Sequence, residues 1–148
     1  MRCMGSKSFA ARRVHNVILY VHTAAPATDD DWDGVLGCYE NARDVKDLRT
    51  LVYTDGAAPN ASQRARLNAV LGARRVRIAV LTPSSLARAA GTAIGWFRPE
   101  VRVFGATDFA KAMEHLSLTG DVASEVGRAL DELKAELGIR SPRRASAS

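Results

Sequence analysis

VRIAVLT, residues 76–82, holds one arginine in an otherwise aliphatic run and stops against Pro83. Apolar residues fill both alternating sets of positions from Ile78 to Leu81, so the stretch predicts a strand covered on both faces. That is the pattern of a parallel strand between helical layers. Upstream, Pro59-Asn60 opens a helix in which Asn60 caps and Gln63 returns the bond, with Leu67, Val70 and Leu71 as the buried stripe and Gly72 as the stop. Downstream, Pro83-Ser84 opens the helical stretch SLARAAGTAIGWF, and VRVF, residues 101–104, supplies a further strand.

The same reading extends to both ends. LRTLVYT, residues 48–54, is a strand closed by the turn pair Asp55-Gly56. VILYVH, residues 17–22, pairs with FAARRV, residues 9–14, through a tight turn at His15-Asn16. Thr107 is the expected cap of a short helix with Phe109, Ala112, Met113 and Leu116 inward, and a last helix spans about residues 121–137. The order is a β hairpin followed by αβαβαβαα. It predicts an α/β fold with a mixed, mostly parallel sheet of four to five strands and helices packed on it. Residues 1–7 are expected as a flexible N-terminus, 8–138 as one domain and 139–148 as a disordered basic tail.

DDDWDGVLGCYE, residues 29–40, matches the spacing of a calcium loop, with Asp29, Asp31 and Asp33 at places one, three and five, Gly34 at six and Glu40 at twelve. It also reads as the first turns of an amphipathic helix capped by Thr28, with Trp32, Val35, Leu36 and Tyr39 on one face. A strand and Pro26 stand where a calcium motif needs its entering helix. The helix is therefore the expected reading, with no metal and no cofactor.

At 148 residues and 47% hydrophobic composition, the chain is long enough for one sizeable core. No run of about 18 apolar residues is present, and MRCMGSKSFAARR lacks the apolar stretch of a secretory signal, so a cytoplasmic protein without a membrane span is expected. Cys3 and Cys38 read as free thiols of a reducing compartment. The net charge of +5 dissolves when the charges are placed: seven basic residues lie in acid-free ends, leaving about −2 for the middle. Specific nucleic-acid recognition is not expected.

Catalytic patterns are missing: no GxSxG elbow, Walker loop or GxGxxG occurs. His15, His22 and His115 share no ligand spacing and read as polar surface residues. Asp55 stands at the carboxyl end of a strand, where α/β proteins place function. Thr82, Ser84 and Ser85 end the neighbouring strand, where amides of the following helix can receive an anion.

VILYVH, LRTLVYTDGAAPNASQRARLNAVL and the closing pattern "WF.PEVRVF...DFAKAMEHL" resemble the STAS family, the fold of bacterial anti-sigma-factor antagonists, and within it the SpoIIAA-like branch. The resemblance covers most of residues 8–118. It implies helices clustered against one side of a mixed sheet and a non-enzymatic regulatory or protein-interaction module in bacterial signalling, acting on another protein; whether as monomer or homodimer the sequence leaves open. Antagonists of the family are similar in carrying a phosphorylatable Ser or Thr, preceded by an Asp, at the start of the helix after the third strand. Here the matching stretch runs from Asp55 and Gly56 through Asn60 to Ser62, with no adjacent Asp-Ser pair. The implied partner surface joins these residues to Thr82, Ser84 and Ser85. The alternative is a small-ligand domain, for a lipid or nucleotide, with an apolar groove along Leu86, Ala90, Ile94 and Trp96.

Overall fold

Phe9–Val14 (β2) and Val17–His22 (β3) form the expected antiparallel hairpin, with Phe9 opposite His22 and Val14 opposite Val17. His15 turns it at φ 51°. The structure, a computed structural model, describes residues 2–83, 85 and 100–139, and of residues 2–5 the backbone alone. Within the stretch expected as a flexible N-terminus, Arg2–Gly5 forms β1, antiparallel to β2, with a register shift between Arg2 and Met4.

From β3 onward every pairing is parallel. Arg49–Thr54 (β4) lies beside β3, Arg77–Thr82 (β5) beside β4 and Val101–Gly105 (β6) beside β5. The six strands stand in the sheet in chain order. Among the described residues the helices are Asp29–Asn41 (α1), Ala61–Leu71 (α2), Phe109–Leu116 (α3) and Gly120–Glu136 (α4). The fold class is the expected one, with β1 as a strand beyond the expected four to five.

Two apolar layers sandwich the sheet. Trp32, Val35 and Tyr39 of α1 and Leu71 of α2 pack on Phe9, Ile18, Tyr20, Val52 and Ile78. Met113 and Leu116 of α3 and Val126, Leu130 and Leu133 of α4 pack on Val17, Leu19, Leu51, Tyr53 and Leu81 from the other side. Helices cover both faces, which the Val76–Thr82 run predicts, and not one side as the resemblance implies. β3 is buried at all six positions because neither face is left to solvent.

Local expectations fail at three places. Asp108, not Thr107, stands at the N-cap of α3; its carboxylate accepts from the Gly105 amide (3.2 Å) and not from the helix. Cys38 is disulfide-bonded, correcting the expectation of free thiols and removing their support for a reducing compartment. It lies on α1, which packs beside β1, the strand holding the chain's other cysteine, Cys3. At the C-terminal end, Gly138 (φ 71°) lets its own amide reach Ala135 O (3.1 Å) and that of Ile139 reach Lys134 O (2.8 Å). Ile139 thereby packs on the core and belongs to the domain, not to the tail. No helix among the described residues is long and apolar enough to cross a membrane.

Candidate functional site at the carboxyl ends of the parallel strands

His22, Thr54 and Thr82 end β3, β4 and β5, pointing to the α1/α2 side of the sheet like Tyr20, Val52 and Val80 two residues before them. The loops that follow β3 and β4 are tied to one another. Thr54 Oγ1 donates to Ala57 O (2.6 Å) and accepts from the Gly56 amide (3.1 Å), closing a turn that takes Gly56 to φ 151°. Asn60 and Gln63 form the predicted capping box, at 2.8 and 3.0 Å. Gln63 is itself buried, and its Nε2 donates to Ala27 O and Asp29 Oδ1, both at 3.2 Å. One side chain thus fastens the loop before α2 to the loop before α1.

Three of the four acids of DDDWDG are engaged in this local architecture. Asp29 accepts from Gln63, Asp31 completes a capping box with Thr28, and Asp33 pairs with Arg66. Among the described residues no group of three or more His, Cys, Asp and Glu has a geometry that could hold a metal.

Asp55 is half-buried and accepts from the hydroxyl of Tyr53 (2.8 Å), while Gly56, Asn60 and Ser62 are exposed. These four lie together on the β4–α2 loop and the first turn of α2. Thr82 is apart from them in kind: its side chain is fully buried, so the surface expected of it is not presented. Ser85 is exposed. Ser84, Leu86, Ala90, Ile94 and Trp96 lie outside the described residues, and the expected apolar groove with them.

His22 is a buried residue, not the surface residue its polarity suggests. It is 2% exposed, packed between Phe9 (ring centroids 4.6 Å apart), Tyr20 and Trp32. Burial lowers its imidazole from 6.5 to about 4, against the opposing pull of the Asp31 carboxylate. Nδ1 of His22 and Nε1 of Trp32 have no hydrogen-bond partner among the described residues. The available signal was alternation: Ile18, Tyr20 and His22 share one face, and that face lies under α1.

A second polar region lies at the sheet's far edge. Arg75, Arg77 and Arg102 join Lys111 of α3 around a groove of about 750 Å³ beside β6. None of the four pairs with a carboxylate among the described residues. The reading that basic charge belongs only to the chain ends is corrected here: residues far apart in sequence gather on one face.

No family model, no curated protein and no solved structure matches this chain.

Proposed function

We propose that the protein is a non-enzymatic regulatory module that binds another protein through the β4–α2 loop and the start of α2. The observation that carries this reading is the double attachment of Gln63, which makes the loop from Asp55 to Asn60 a fixed surface instead of a mobile tether. Binding residues concentrate on loops held by a rigid scaffold. Gly56, Asn60 and Ser62 face solvent there, and the Thr54 hydroxyl beside them is bonded to the loop's own backbone, an arrangement suited to holding shape. Ser62 occupies the second position of α2, where the helix dipole and free amides favour a phosphate. The resemblance to anti-sigma-factor antagonists points to the same stretch.

Affinity capture compared across variants tests the proposal. A partner retained by the wild type and by Ser124→Glu on α4, but lost with Asp55→Ala or Ser62→Glu, is the expected result. Identical recovery by all four proteins removes this surface.

A further inference from the structure

We infer that the groove between β6 and α3 binds a nucleoside phosphate. α3 packs chiefly on β5, so the residues of β6 that point to the same side, Arg102 and Phe104, are left beside the helix instead of beneath it. Arg75 and Arg77 approach from the start of β5, and Lys111 from α3. Four like charges around one opening repel one another, and an arriving anion removes that repulsion. Arg77 is already placed. Its Nη1 donates to His115 O (3.3 Å) and Ser117 Oγ (2.6 Å), while its Nε and Nη2 have no partner among the described residues. A guanidinium held by one corner with donors to spare suits a phosphate oxygen.

The remaining lining selects the kind of anion. Phe104 lies 6.1 Å from the imidazole of His115 and is tilted 53° to it, and His115 Nε2 meets Glu100 O at 2.8 Å, so the groove offers aromatic faces, one of them held in place, against which a base can stack. Glu100 and Glu114 stand in the same groove. Carboxylates oppose a uniform polyanion, such as an acidic peptide or polyphosphate, but accept from sugar hydroxyls and base amines. The volume of about 750 Å³ suits one small molecule. Phosphate on the cations, base on the rings and sugar at the acids satisfy every group in the groove.

Titration calorimetry of the full chain with ATP, inorganic triphosphate and adenosine is the test. ATP is expected to bind, the other two about tenfold or more weakly, since each holds half of the recognised chemistry. Arg102→Ala with Lys111→Ala, both exposed positions, is expected to weaken ATP by about tenfold for each cation and to flatten its salt dependence. Phe104→Leu is expected to erase the preference for ATP over triphosphate, with melting curves confirming the fold. The inference is overturned if ATP does not bind, if the double variant binds it equally, if triphosphate matches it in the wild type, or if an oligothymidylate outcompetes it at these residues.

Discussion

The ammonium of Lys134 stands 4.2 Å above the centre of the Tyr53 ring. Lys134 is on α4 and 4% exposed; Tyr53 is on β4, and its hydroxyl donates to Asp55 at the head of the candidate surface. A helix on one side of the sheet therefore braces a loop at its end. Burial, the bond to Asp55 and that carboxylate's charge hold the Tyr53 phenol well above its usual value of 10.

Replacing Tyr53 by Phe is expected to cost about 1 kcal/mol in urea unfolding and to speed amide exchange at Asp55 and Gly56. Lys134→Met in the same background completes a cycle whose coupling is about 1 kcal/mol. The folded phenol keeps its proton to higher pH than the unfolded one. Its contribution is therefore complete below pH 10 and lost as pH rises beyond, and Tyr53→Phe should flatten part of that alkaline decline.

His22 sets the acid side. Its folded value near 4 lies below the ordinary 6.5, so between these values the unfolded chain binds the extra proton. Stability should fall by about 3 kcal/mol as pH drops through that window. His22→Leu, which keeps the site apolar, should remove most of the slope in urea unfolding measured from pH 7 to pH 4.

Asn60→Ala removes one half of the capping box on α2. A loss of about 1 kcal/mol is expected, with α2 amides near Gln63 exchanging faster. Gln63→Ala should cost more, because it also releases Ala27 O and Asp29.

The disulfide at Cys38 gives a direct mass measurement. Iodoacetamide added to unreduced, unfolded protein should leave Cys38 unmodified, whereas prior reduction should allow labelling. Labelling without reductant would show a free thiol.

Gly138→Ala places a side chain at φ 71°, a conformation that costs about 1 kcal/mol outside glycine. Thermal melting should fall by a few degrees for a domain of this size. Ile139→Ala should lower it separately, through lost packing on the core.

The parts legible in the sequence are those governed by neighbours along the chain. The hairpin turn, the Asn60–Gln63 box, the Thr28 cap and the Trp32–Tyr39 stripe are settled within a few residues of themselves. Val76–Thr82 reports its two covered faces by composition alone. What escaped depends on distant partners. Arg2–Gly5 becomes a strand through backbone pairing to β2, for which RCMG carries little strand signal. His22 is buried by Phe9 and Trp32 arriving from separate elements. Arg75, Arg77, Arg102 and Lys111 converge through the β5–β6 pairing and α3, which a charge count along the chain does not see. Thr107 and Asp108 differ by one position, the ordinary uncertainty of a helix end.

The chain order of the strands also bears on how the molecule assembles. Each parallel pair joins segments consecutive in the sequence, so the sheet can grow one crossover at a time, with modest loop-closure entropy at every step. The exception is α4, which packs on β2 and β3 near the beginning, with Arg12 bonded to Glu132 at 2.5 Å across 120 residues. During synthesis the early strands therefore leave the ribosome before their cover exists. Until α4 emerges, the nascent chain holds open the apolar face of β2 and β3 that this helix covers.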